Sequence, residues 1–147
     1  MREPEARRQG VPPFAAWEVP MSGRNKAARV FVITGSVVLI VSAALHIFGG
    51  YSQVFPLLAA SNLSPFLKSA LRVVFLSLGW HWAVVGAVAL VAGLTQSKLR
   101  KALALICGLA VLIEAGVGAS MMGFFIGNEL IGAGALLLVC GGVLFDQ

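Results

Sequence analysis

Five ionisable side chains lie within or at the edges of strongly apolar stretches of this chain: His46, Arg72, His81, Glu114 and Glu129. A carboxylate beside an imidazole can share a proton or form an ion pair, and two histidines on different helices can ligate a haem iron. Ionisable groups inside a bilayer are costly, so each one is a functional hypothesis by default. We therefore treat these five residues as the candidate polar site.

The elements that must position these residues are four apolar blocks, at residues 30–48, 73–94, 102–126 and 130–145. A hydrocarbon core about 30 Å thick requires roughly 17–25 apolar residues per helix. The chain is 59% hydrophobic and only 12% charged, which is outside the usual range of a soluble domain. The sequence therefore predicts an all-α fold, a membrane-embedded antiparallel bundle of four transmembrane helices.

The distribution of basic residues predicts the orientation of this bundle. Lysines and arginines cluster before the first block and between the second and third, which leaves only Lys68 and Arg72 for the opposite side. The positive-inside rule then places both termini in the cytoplasm. The layout is similar in outline to small bacterial membrane proteins, including the DoxX-like group, and this resemblance in topology implies the bacterial inner (plasma) membrane.

The net charge of +5 does not indicate nucleic acid as a partner, because the basic residues are not interleaved with aromatic stacking residues. They flank apolar blocks, where they act as topology and phospholipid-headgroup anchors. The lipid bilayer is therefore the first predicted partner, followed by another membrane protein or a second copy of this chain.

The sequence divides into two regions, a mobile basic cytoplasmic tail at residues 1–27 and a four-helix transmembrane domain at residues 28–147. The tail is charged and contains prolines without sustained periodicity. We expect residues 49–63 to form a loop on the outer membrane surface. Ser64 and Pro65 are typical of a helix start, with serine as the N-cap and proline at the first helical position.

The remaining two connections are predicted to be tight turns. Residues 95–97 form the cytoplasmic turn, and Gly127-Asn128 forms the outer turn, with Asn128 capping the fourth helix and Glu129 in its first turn. Similar residue counts from the cytoplasmic turn place His81 and Glu114 at similar depth, within about 3–4 Å at 1.5 Å per residue. Whether the two side chains face each other depends on helix rotation, which the sequence leaves open.

A packing role competes with every functional interpretation of these residues. Glu114 could be neutral and donate a hydrogen bond to Ser77 or His81, with Trp80 and Trp82 facing lipid or the interface and His46 a simple interfacial residue. The functional alternatives are a proton-coupled or small-molecule site on His81 and Glu114, and a haem or chlorin bound through His46 and His81. No metal-ligand cluster, nucleotide loop or catalytic motif is present, so neither a cofactor nor a catalytic residue is predicted.

The favoured function is an accessory or assembly subunit, a small polytopic membrane protein whose polar residues maintain helix packing or bind a partner helix. We expect no enzymatic activity, because a chain of 147 residues has room for one small bundle and no large active site of its own.

Overall fold

The computed structural model describes residues 22–146, and within this range it contains helices and turns but no strand. The predicted all-α fold is therefore confirmed for this range. The helices are α1 (Gly23–Gly49), α2 (Phe55–Ala60), α3 (Pro65–Leu94), α4 (Arg100–Met122) and α5 (Ile126–Leu144). Residues 23–27 of the predicted tail belong to α1, where the hydroxyl of Ser22 accepts a hydrogen bond from the Asn25 amide. The rest of the tail, residues 1–21, lies outside the described residues.

The prediction of an outer loop at residues 49–63 was wrong for most of that segment. A π-helical turn, Gly50–Val54, joins α1 to α2, so that helical structure continues from Gly23 to Ala60. Pro56 has no amide hydrogen and would interrupt a regular α-helical ladder. The wider π turn accommodates this interruption, with the Phe55 amide bonded to the carbonyl of Gly50. Only residues 61–64 separate α2 from α3.

The predicted start of α3 is confirmed. The Ser64 hydroxyl accepts a hydrogen bond from the Leu67 amide at 3.3 Å, and Pro65 is the first helical residue. Serine thus satisfies one of the backbone donors that a helix N-terminus leaves free, and proline removes another.

The turn between α4 and α5 lies earlier in the chain than predicted. α4 ends at Met122, and Gly123 follows with a φ of 76°, a left-handed conformation that glycine adopts without strain. α5 begins at Ile126, so Asn128 lies inside the helix and does not cap it. Its side-chain amide instead donates to the carbonyl of Gly123 at 3.4 Å. Glu129 is in the first turn of α5, as predicted.

Within residues 22–146, four segments are long and apolar enough to cross a membrane, judged by length and composition: Gly23–Ala60, Pro65–Leu94, Arg100–Met122 and Ile126–Leu144. They correspond to the four predicted apolar blocks. At 1.5 Å per residue the first is roughly 57 Å long, well beyond the thickness of a hydrocarbon core of about 30 Å.

The four long helices form a ring in which α1 packs on α3 and α5, and α4 packs on α5 and α3. Gly141 of α5 lies beside Ala28, whereas Gly134 lies beside Gly35. The buried interior is mainly apolar, and its largest fully buried apolar side chains are Val32, Leu39, Val111, Leu138 and Phe145.

Glycines bring the helices close together at three of the four seams in this ring. A Cβ atom on Gly35 would lie 2.7 Å from the backbone oxygen of Gly134, between α1 and α5. Gly86 has a similar close approach to α1 from α3, and Gly108 has one to α5 from α4. Small residues allow backbones to approach in this way, which increases van der Waals contact.

The seam between α3 and α4 is the least closely packed of the four. Among the glycines of residues 22–146, none makes a close approach across it. A polar cluster crosses this seam instead.

Candidate functional site

The carboxylate of Glu114 on α4 contacts two consecutive residues of α3. Its Oε1 atom lies 3.0 Å from Nε2 of His81, and its Oε2 atom accepts a hydrogen bond from the indole Nε1–H of Trp82 at 2.9 Å. Consecutive residues on a helix point about 100° apart, so His81 and Trp82 approach the carboxylate from different sides. The two predicted site residues therefore do face each other.

The two sides of this cluster have different environments. Trp82 is only 8% exposed and belongs to the buried core, whereas the side chains of His81 and Glu114 are 44% and 34% exposed. The indole of Trp82 thus holds the Glu114 carboxylate from the bundle interior. The imidazole of His81 contacts the same carboxylate at the surface of the bundle. The expectation that Trp82 faces lipid was wrong, while Trp80 is 64% exposed and does point outward.

His46 connects α1 to the same cluster through aromatic contacts. Its ring stacks on Phe75 with centroids 3.8 Å apart and meets the ring of Trp82 edge-on at 4.8 Å. Its Nε2 atom lies 3.0 Å from the backbone oxygen of Phe75. A carbonyl oxygen can only accept a hydrogen bond, so Nε2 carries the proton and donates it.

Gly79 makes the space for this histidine. A Cβ atom at Gly79 would lie 3.3 Å from Cδ2 of His46 and 2.6 Å from Cγ1 of Ile47. The absence of a side chain at this position lets the end of α1 approach the backbone of α3. The imidazole can then reach a backbone oxygen of α3 that a longer separation would place out of range.

Arg72 lies at the periphery of the aromatic cluster and does not contact the His81–Glu114 pair. The centre of its guanidinium is 5.8 Å from the ring centroid of Phe55, and Phe55 meets Phe75 edge-on at 5.7 Å. This geometry is typical of a weak cation–π interaction.

Glu129 lies apart from the other four predicted residues. It is exposed at the edge of a cleft of about 770 Å³ between α4 and α5, together with Ser120 and Asn128 at the polar end. Within residues 22–146 it forms no ion pair with any of the other candidates. The five predicted residues therefore do not form one site. His81 and Glu114 are in direct contact, His46 is joined to them through Trp82, and the remaining two, Arg72 and Glu129, are separate.

The sequence analysis missed Trp82 and Phe75 as members of the cluster. A usable signal for Trp82 was the stripe of small residues on α3 at Gly79, Gly86 and Gly93. Trp82 follows Gly79 by three residues and precedes Gly86 by four, so it lies on the same inward face. The same stripe was a signal for Phe75, which precedes Gly79 by four residues and Trp82 by seven and so lies on the same face.

A haem ligated through Nε2 of both His46 and His81 would require that neither Nε2 atom is already held by another group. The Nε2 atom of His46 is bonded to a backbone oxygen, and that of His81 lies against Glu114. Both atoms are therefore engaged in other contacts. Within residues 22–146, no group of three or more histidine, cysteine, aspartate and glutamate side chains is arranged to hold a metal ion.

Comparison of the chain with protein families, with curated proteins and with solved structures found no match. The conclusions that follow therefore depend on the geometry of the described residues.

Proposed function

We propose that this chain is an integral membrane protein, an antiparallel bundle of four transmembrane helices, that acts as an accessory or assembly subunit. The exposed side of the His81–Glu114 pair is the observation that carries this proposal. The two residues lie near the middle of α3 and α4, where a membrane-spanning arrangement places them far from water. Polar groups facing lipid at that depth are costly, so a covering group that supplies hydrogen bonds is favoured.

The packing of the bundle supports a partner helix as that covering group. The seam between α3 and α4 has no glycine-mediated close approach among the described residues, and large apolar side chains beside it are exposed. These include Val84 on α3 and both Ile113 and Val117 on α4. A transmembrane helix with a serine, threonine, asparagine or glutamine would bury this apolar surface and hydrogen-bond to the pair.

The charge distribution supports an orientation with both termini in the cytoplasm. Arg24 of α1 forms an ion pair with Asp146 after α5 at 3.3 Å, and Arg100 of α4 lies 3.4 Å from Asn25. These contacts bring the basic starts of α1 and α4 to one end of the bundle. Lys68 and Arg72, near the start of α3, lie at the other end.

Photo-crosslinking in native membranes tests the partner interaction. A photoreactive amino acid replaces Val84, which is exposed one helical turn after His81, and in a matched control it replaces Val37 on α1, which is also exposed. We expect a discrete adduct from position 84 that is lost in Glu114→Gln, and none from position 37. The adduct mass distinguishes a second copy from a different protein. Equal labelling from both positions, or an adduct unaffected by Glu114→Gln, would contradict a specific docking site.

A second candidate is a proton-coupled or small-molecule site formed by the same pair. One observation favours it: both Glu114 oxygens contact polar hydrogen-bonding groups, yet the carboxylate stays partly accessible from outside the bundle. Liposomes that contain the purified protein and a trapped pH-sensitive dye test this function. Proton flux that is abolished in Glu114→Gln and retained in Glu129→Gln would support it over the accessory role.

A further inference from the structure

A second cleft, of about 610 Å³, lies at the end of the bundle where α3 turns into α4. We call it the basic cleft and define it by Lys98, Arg100, Lys101, Leu105 and Asp146. It is separate from the His81–Glu114 pair, which lies near the middle of α3 and α4.

Among the described residues that line the basic cleft, the one acidic side chain, Asp146, is already neutralised. Asp146 forms an ion pair with Arg24 at 3.3 Å and accepts a hydrogen bond from the Ser22 hydroxyl at 2.9 Å. The Asp146 carboxylate is therefore paired with groups at the start of α1, and it does not neutralise the lysines in the cleft.

Arg100 also makes contacts within the protein. Its guanidinium lies 4.6 Å from the centroid of the Phe145 ring and donates to the side-chain oxygen of Asn25. In contrast, Lys98 and Lys101 form no ion pair within the described part of the chain, and the first turn of α4 contains no acidic residue. Two lysines thus provide positive charge that no described group balances.

The basic cleft is lined by apolar as well as by charged residues. Ala102 and Leu105 continue from the lysines toward the apolar body of α4. An anion with an attached hydrocarbon chain matches this arrangement, because its charge meets the lysines while its first methylene groups contact Leu105. Basic pockets between helices on the cytoplasmic side of membrane proteins bind anionic lipid headgroups in this way.

We propose that the basic cleft binds the phosphate of an anionic phospholipid, with Lys98 and Lys101 contacting the phosphate and Leu105 packing against the start of an acyl chain. Free phosphate carries the same anionic phosphoryl group as a phospholipid headgroup. The apolar residues of the cleft favour the lipid, because only the lipid has a hydrocarbon chain to contact them. This inference rests on the membrane embedding proposed above.

Lipid titration of the purified full-length chain in mild detergent tests the inference by native mass spectrometry. Phosphatidylglycerol, phosphatidylcholine and inorganic phosphate are compared under the same conditions. We expect selective binding of phosphatidylglycerol. Lys98→Gln combined with Lys101→Gln should weaken that binding about twenty-five-fold, since each lysine near an anionic headgroup contributes roughly fivefold.

Two further variants distinguish a local site from diffuse attraction. Lys68→Gln combined with Arg72→Gln removes the same charge from the opposite end and should leave the binding unchanged. Asp146→Asn leaves the positive charge of Arg24 without its partner at the same end of the bundle, so it should tighten the binding several-fold. Equal weakening by both double variants would overturn the proposal, and so would inorganic phosphate binding as tightly as the lipid.

Carbonate extraction of cell membranes separates this proposal from the one on which it rests. A chain released into the soluble fraction by carbonate would contradict membrane embedding. A chain that stays in the membrane fraction but shows no lipid preference would contradict only the basic cleft.

Discussion

Trp82 donates its indole hydrogen to Oε2 of Glu114 at 2.9 Å, and this bond joins the buried face of α3 to α4 across the least closely packed seam. The adjacent His81 contacts the other carboxylate oxygen from the more exposed side. The buried Trp82 therefore holds one oxygen of the Glu114 carboxylate, and the partly exposed His81 contacts the other.

Replacement of Trp82 by phenylalanine should lower the free energy of unfolding by about 0.6–1.7 kcal/mol, the average and the maximum for interhelical hydrogen bonds in a membrane protein, with a further loss from the smaller ring. Trp80→Phe is the matched control, because this indole is exposed and makes no hydrogen bond within residues 22–146. Reversible unfolding in mixed micelles measures both changes. Equal effects of the two substitutions would show that the hydrogen bond to Glu114 contributes no stability.

The His81–Glu114 contact should appear as a coupling energy in a double-mutant cycle. We expect Glu114→Gln and His81→Gln each to destabilise the bundle, and the double variant to cost less than their sum by about 0.6 kcal/mol. This value is modest because, in a membrane, polar side chains of the unfolded state also find hydrogen-bonding partners. A cycle between Glu114→Gln and Trp80→Phe should be additive. Strict additivity in both cycles would mean that His81 and Glu114 act independently.

Glycine-to-alanine substitutions should have opposite effects at Gly35 and Gly116. A Cβ atom at Gly35 would meet the backbone oxygen of Gly134 at 2.7 Å, which requires movement of α1 or α5 and should cost about 1–3 kcal/mol. At Gly116 nothing lies within 4 Å of such an atom, so the gain in helix propensity should stabilise α4 by roughly 0.5–1 kcal/mol. Thermal unfolding in detergent, followed by circular dichroism, measures both. Destabilisation at Gly116 would indicate that this surface is packed against something else.

The purified protein should show no haem or chlorin absorption, because the Nε2 atoms of His46 and His81 are both engaged in other contacts. An absorption spectrum in mild detergent checks this expectation, with circular dichroism confirming that the preparation is helical. A Soret or chlorin band that disappears in His46→Ala or His81→Ala would contradict it and favour a pigment-binding subunit.

Cysteine labelling should place the two ends of the bundle on opposite sides of the membrane. In a background with Cys107→Ala and Cys140→Ala, Gln53→Cys should react with an impermeant thiol reagent added outside intact cells. Gln96→Cys should react only after the cells are opened. Both positions are exposed, so access and not burial decides the result. Labelling of Gln53→Cys from the cytoplasm alone would reverse the proposed orientation.

Some features of the fold were predictable because they depend on local sequence. Ser64 and Pro65 begin α3 as expected, since a serine cap and a proline at the first helical position act within a single turn. The continuation of α1 past Gly49 was not predicted. Glycines and a proline usually indicate a loop, and the π turn that accommodates them depends on packing of the buried Gly50 and Phe55 against Phe75.

The sequence by itself determined the four apolar helical segments and the similar level of His81 and Glu114, because hydrophobic length and residue counts set these quantities directly. Only the tertiary structure decided that the two side chains meet, that Trp82 shares the carboxylate, and that Glu129 lies apart. The physical reason is helix rotation, which is set by the close glycine contacts of α1 with α3 and α5 and of α4 with α5. Those contacts involve residues far apart in the chain, so the spacing along one helix can indicate its inward face but not which residue of a neighbouring helix lies opposite it.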